Sequence, residues 1–413
     1  MLPQVGLYYP FIHFRDERWL KTAALYWQEL ARVVPDNYRL ADSLTARVLR
    51  EELDFIRPVD PVQPARQVAP LFHEALAQHA QALRAAGYGM SSERDTWNAR
   101  LGNSFEPVSP FSAENGPEPV PAGIAFCYRE EFTPELREAL MESGLAADML
   151  HAPGFEGRRS LASGRWMAMD ARLAWVYKCV FVEVVARQGR YTPTTDQPGA
   201  HLVADGWDAE RIAQSLLDGP GTVTAAQADG LTDAVGLLAV RLAVPARLDG
   251  IPAEKIVKLR KEHREEFAAF NTVMAQTVDE LRRDLDEGML DEAYARDVRM
   301  TVEQRFGLPL IALREAMKAQ GLGTVHGVAS VKFEVPALMG VFGAAAGAFL
   351  GQPVAGTTAA GTAAGVALGV LNVRQVRKQQ VKDLKAGNPA AYLLSVQRGL
   401  KPRSLLRKIV RAV

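Results

Sequence analysis

Residues Val335–Val373 read VPALMGVFGAAAGAFLGQPVAGTTAAGTAAGVALGVLNV, without one charged side chain, in a chain where charged residues make up 23%. Two apolar segments, Val335–Leu350 and Val354–Leu371, flank Gly351-Gln352-Pro353. Glycines recur at every fourth position, at Gly343, Gly347 and Gly351 and again at Gly361, Gly365 and Gly369. That spacing places them on one helix face. Gly-Gln-Pro suits a reversal, because Pro lacks an N–H and restricts the residue before it. In water each glycine costs about 1 kcal/mol relative to Ala, so six in register require a packing reason. The stretch reads as a glycine-zipper-like helical hairpin whose glycine faces pack together in a membrane, where small residues let backbones approach. The first arm would span about 24 Å against a bilayer core of about 30 Å, so insertion would be partial or would need oligomerisation. The alternative is a hairpin buried against the chain's own body or a second copy.

Charge outside this stretch is uneven. The whole chain balances 48 Lys and Arg against 48 Asp and Glu, yet from Arg374 onward eleven bases face Asp383 alone. Such asymmetry suggests a basic tail that meets an anionic surface. Arg374–Lys385 reads as a basic helix, broken at Gly387-Asn388-Pro389. In Ser404–Val413 (SLLRKIVRAV), Leu405, Leu406, Ile409, Val410 and Val413 share one face beside Arg407, Lys408 and Arg411, as in a helix lying on anionic lipid. The opening MLPQVGLYYPFIHF has no basic start and no long apolar run, so it does not read as a signal peptide. The expected location is the cytoplasm, with inner-membrane association through the C-terminal part.

The body reads as mainly α with a few short strands (α+β). Gln4–Phe14 is a strand by composition. Asp16 suits a helix cap, followed by Trp19, Ala23, Trp27, Leu30 and Val34 at helical spacing. Asp42 or Ser43 starts a second helix, and Arg57-Pro58-Val59-Asp60-Pro61 breaks it. Gln67–Ala86 is a helix ending at Gly87, followed by a loop over Met90–Ala122. Ile124–Tyr128 is a buried strand, and Thr133-Pro134-Glu135 opens a helix. Met169–Arg187 is nearly apolar all round and belongs in a core, although Arg172, Lys178 and Glu183 interrupt it. Tyr191–Asp196 (YTPTTD) is a turn. Ala225–Val244 holds a helix and then a strand around Leu238–Val244. Ala253–Leu285 is one long helix with Ile256, Leu259, His263, Phe267, Phe270 and Met274 inward. Asp291 caps another helix towards Phe306, and Leu308–Gln320 is amphipathic. The implied divisions are 1–122, 123–250, 251–331, 332–373 and 374–413.

Three blocks, LYYPFIHFRDERWLKTAALYW from Leu7, the Tyr177 helix with YTPTTD, and IPAEKIVKLRKEHREEFAAF from Ile251, resemble an uncharacterised bacterial family, a domain of unknown function. The resemblance spans residues 5–320. It implies a soluble helix-rich body and brings no substrate or active site.

No phosphate loop, dinucleotide fingerprint, nucleophile elbow or zinc motif is present, and nothing calls for a cofactor or metal. Cys127 and Cys179 lie in apolar surroundings without metal or redox spacing. The best polar cluster for a ligand is Tyr8, Tyr9, His13, Arg15, Asp16 and Trp19, where His13, Arg15 and Asp16 end the first strand and Arg15 with His13 would hold an anion. The leading expectation is therefore a non-enzymatic protein that engages anionic lipid, forms homo-oligomers and acts as a pore-forming effector. The alternative is an enzyme or ligand-binding module with its site at the first strand–helix junction. Nucleic acid ranks last as a partner, since only Tyr392 interleaves the tail's bases.

Overall fold

A computed structural model describes residues 5–9, 12–36, 38, 40, 42–90, 124–148, 166–196, 206–218, 231–244, 248, 250–284, 291–319, 388 and 390–400. The Val335–Val373 hairpin with its six glycines, the basic segments Arg374–Lys385 and Ser404–Val413, and the loop expected after Met90 lie outside the described residues. The fold is mainly α with a few short strands. It separates into two compact units, one made of Met1–Arg15, Glu29–Ser43 and Phe55–Gly230, the other of Asp16–Gln28, Leu44–Asp54 and Leu231–Val413.

The first unit contains a parallel sheet of β1 (Val5–Tyr8), β2 (Glu29–Val33), β3 (Ile56–Val59) and β7 (Thr192–Thr194), in the order β3-β2-β1-β7. Every residue of β1 is buried, as a central strand of a parallel sheet requires. Both edge strands carry a proline, Pro58 in β3 and Pro193 in β7. Pro cannot donate to a ladder and is tolerated where one side of the strand has no partner. Two expectations change here. Trp19, Ala23, Trp27, Leu30 and Val34 are all buried, but the helix stops at Ala23 and residues 29–33 form β2. The Arg57–Pro61 breaker overlaps β3, and the YTPTTD turn contains β7.

A second, antiparallel sheet orders β4 (Ile124–Tyr128), β5 (Ala146–Asp148) and β6 (Trp166–Asp170) as β4-β6-β5. The unit's helices are α3 (Val62–Leu83), α4 (Pro134–Glu142), α5 (Ala171–Gly189) and α6 (Ala209–Leu217). Thr133 Oγ1 accepts from the Leu136 amide at 3.2 Å, the expected cap of α4. Asp170 caps α5, accepting from Arg172 N at 2.8 Å. Helix α5 is buried almost all round, as its composition implies; Trp175 and Tyr177 are both under 2% exposed. Burying side chains of that kind contributes about 1.5–3 kcal/mol each. Helix α3 leaves through a π turn in which Gly87 adopts φ +92°, a conformation that favours glycine.

The second unit comprises α1 (Glu17–Ala23), α2 (Leu44–Leu53), α7 (Leu231–Arg241), α8 (Ala253–Glu262), α9 (Arg264–Asp284), α10 (Asp291–Val302), α11 (Leu308–Ala319) and α12 (Ala390–Gly399). The single helix expected over Ala253–Leu285 breaks at His263 (φ −120°, ψ 37°). Ile256, Leu259, Phe267, Phe270 and Met274 are nonetheless all buried. No strand forms at Leu238–Val244. Helix α7 continues to Arg241, and the amides of Ala243 and Val244 return to the Val240 carbonyl at 2.9 and 3.0 Å. Gly236 on α7 lies so close to Tyr26 that an added Cβ would sit 2.4 Å from its ring. Helix α12 falls inside the segment read as a basic tail, yet Ala390–Val396 are buried without interruption. Asn388 caps it through the Ala390 amide at 2.9 Å, and Tyr392 packs against Phe267 and Phe270 with ring centroids 5.0 and 5.3 Å away.

Candidate functional site

Parallel strands end on the same side, and open α/β sheets bind ligands where the strand order changes direction. Strands β2 and β3 follow on one side of β1 and β7 lies on the other, so that point is the carboxyl end of β1 beside β7. The polar residues of the first unit gather there. The Tyr8 hydroxyl, on the last residue of β1, donates to Asp196 Oδ2 at 3.0 Å. The Arg15 amide donates to the same oxygen at 2.8 Å. Arg32, on β2, makes a two-pronged pair with Asp42 at 2.7 and 2.6 Å and donates to the Ile12 carbonyl at 3.1 Å. The Arg32–Asp42 pair is almost completely buried.

A second polar group lies on the same edge. Tyr8 at the end of β1, Tyr9 and Ile12 after it, Val33 from β2, and Lys178, Phe181 and Val182 of α5 line a space of about 10 Å³ together with Glu131. That holds roughly one water. The Lys178 ammonium binds Glu131 Oε1, with both side chains at 7% exposure or less. Glu131 Oε2 is buried with no hydrogen-bond partner among the described residues. The neighbouring Tyr177 hydroxyl donates to the Glu131 carbonyl. Burial, followed by the Glu131 charge, lifts the Tyr177 phenol well above its ordinary range. Burial pushes the Cys127 thiol up to about 12, with Lys178 opposing the shift. Phenol and thiol therefore stay protonated at neutral pH.

Of the residues singled out from sequence, His13 and Arg15 belong to this unit. His13 Nε2 lies 2.9 Å from the Tyr38 hydroxyl, and burial, then Arg32, hold its pKa below the ordinary value. Arg15 contributes its main-chain amide, and its side chain is exposed. Asp16 belongs to the second unit, where Oδ1 caps α1 by accepting from Arg18 N and Trp19 N at 2.7 and 3.0 Å. Glu131, Lys178, Asp196 and the Arg32–Asp42 pair were not singled out. Lys178 carried a usable signal: a lysine in a helix apolar on every side needs a buried anionic partner. Among the described residues no cluster of three His, Cys, Asp or Glu side chains is placed to hold a metal.

The architecture is thus a mainly α protein whose first unit sets a buried ion pair at the carboxyl edge of a parallel sheet. The chain belongs to a family of unknown function (DUF6236), whose family model matches residues 35–401. No curated protein and no solved structure matches it.

Proposed function

We propose that the first unit binds a small polar molecule at the carboxyl ends of β1, β2 and β7, with Glu131 and Lys178 as its recognition groups. The observation that carries this reading is that Glu131, one of the residues lining the space, has a buried Oε2 with no hydrogen-bond partner among the described residues. A buried carboxylate oxygen left unsatisfied costs more than a typical hydrogen bond gains, so the arrangement favours a donor there. The fitting ligand presents an N–H or O–H to Glu131 and an acceptor to Lys178. A molecule larger than water enters only as wall side chains such as Ile12 and Phe181 move aside. Thermal melts of the full chain with millimolar amino acids and polyols test this. At least one compound should raise the parent's melting temperature and leave Glu131→Leu/Lys178→Met unmoved; equal shifts in both, or none in the parent, reject the reading.

A second reading concerns the other end of the chain and is favoured by the uncharged run and the basic residues after it. The glycine-rich hairpin and the tail engage anionic lipid, with copies associating through the glycine faces. Among the described residues no helix is long and apolar enough to cross a membrane. Because α12 is core, truncation at 335 would remove a packed helix along with the hairpin. Charges placed inside the hairpin separate the two effects. In vesicle flotation, the parent should rise with anionic vesicles and Ala345→Lys/Ala364→Lys should not; flotation of both or of neither counts against lipid insertion.

A further inference from the structure

The second unit carries a larger opening of its own, a cleft of about 530 Å³ at the break between α8 and α9. That is within the ordinary range of small-molecule sites. Its walls include Arg260 and Lys261 from α8, Arg264 and Phe267 from α9, with Gln28 and Glu52 opposite. Arg260 forms the floor. Its guanidinium is buried, lies 3.7 Å over the Phe267 ring, and donates to the carbonyls of Ala24, Trp27 and Gln28 at 2.6, 3.0 and 3.2 Å. Lys261 and Arg264 are exposed, and neither forms an ion pair among the described residues. Neighbouring acids are partly engaged: Glu262 with Lys258 at 3.7 Å, Glu266 with His263 at 3.2 Å. Glu52 is the acid lining the cleft, against three cations, and Glu265 stands in the first turn of α9.

Three cations on one concave surface, with one acid opposing them, make a local field that attracts anions. The spacing has structural support. Arg260 is locked by main-chain acceptors and an aromatic face, while Lys261 and Arg264 line the same cleft with exposed side chains. Arg and Lys together suit tetrahedral oxyanions, Arg through its fork and Lys as a point charge. We propose that this cleft binds a phosphate-bearing ligand, received by Lys261 and Arg264 over the Arg260 floor. The site is separate from the Glu131–Lys178 cavity and does not depend on it.

The phosphate could come from a free metabolite or from a lipid headgroup, and two probes distinguish the sources. Pyrophosphate is titrated calorimetrically into the full chain. In parallel the chain is floated with phosphatidylcholine vesicles, with and without phosphatidic acid. Lys261→Ala/Arg264→Ala removes two exposed side chains and should leave melting unchanged. Lys258→Ala, outside the cleft and paired with Glu262, is the control for loss of a cation elsewhere on the same helix. The expected result is binding of pyrophosphate, of the phosphatidic acid vesicles, or of both, weakening with salt. It should fall roughly tenfold per removed cation, near a hundredfold in the double variant, and persist in Lys258→Ala. Pyrophosphate binding identifies a free phosphate ligand; vesicle binding alone identifies a headgroup. Neither probe binding, or equal binding by parent and double variant, overturns the proposal. Vesicle binding lost only in Ala345→Lys/Ala364→Lys overturns it too, while leaving the hairpin reading in place.

Discussion

Each unit buries a basic side chain, and the two solve the same problem differently. In the first unit, Lys178 meets a carboxylate carried on another side chain, Glu131. In the second, Arg260 meets the carbonyls of Ala24, Trp27 and Gln28. A side-chain partner can be removed together with the lysine, leaving an apolar contact. Backbone carbonyls cannot be removed, so Arg260 has no substitute that keeps residues 24–28 satisfied. Arg260 is thus a structural tie. The Lys178–Glu131 pair carries a desolvation penalty that an apolar pair would avoid.

The comparison is broken most directly by single truncations. Lys178→Met leaves Glu131 buried without its counter-charge and should lose about 3–5 kcal/mol in urea unfolding. Arg260→Met strands three carbonyls. With about 1–3 kcal/mol at stake for each and some relaxation, the loss should be about 2–4 kcal/mol. Arg260→Lys should recover little of it, because an ammonium supplies neither the fork nor the stacking face; full recovery would make charge alone the explanation. Gly236→Ala forces a methyl against Tyr26 in the same segment that Arg260 holds and should cost about 1–3 kcal/mol. A neutral result would mean that this segment yields easily and is not rigidly tied.

The smallest effect concerns His13. Its folded pKa lies below 6.5, through burial and Arg32, so the unfolded chain takes up a proton more readily. Stability present above about pH 6.5 is lost as the pH falls below that value. Urea midpoints at pH 7.5 and 5 should differ less in His13→Gln than in the parent; an equal difference assigns the acid sensitivity elsewhere in the first unit.

Helices with strong apolar stripes were legible: α3, α5, α9 and the inward faces of α1 and α8 follow from spacing and caps. The parallel sheet was not. Strand β2 carries Leu30 and lies beside Val34, residues that continue a helical stripe from Trp19, and only pairing with β1 and β3 makes it a strand. Strands β3 and β7 were hidden by Pro58 and Pro193, which read locally as breakers and are tolerated because both strands are edges. Helix α12 was hidden because the charge count of the surrounding tail outweighed a short apolar run. At the site, β1 ends at Tyr8, earlier than the strand read over Gln4–Phe14, so His13 and Arg15 lie in the segment that follows it. Asp196 lies 188 residues from Tyr8 and Glu131 lies 47 from Lys178, separations that no local pattern encodes.

The most direct measurement is the urea unfolding free energy of Glu131→Leu/Lys178→Met beside the two single variants. If the pair is retained for binding and not for stability, the double variant should match or exceed the parent, by up to about 4 kcal/mol, while each single variant falls well below it. A double variant as unstable as the sum of the singles would contradict the account and make the pair a structural tie like Arg260.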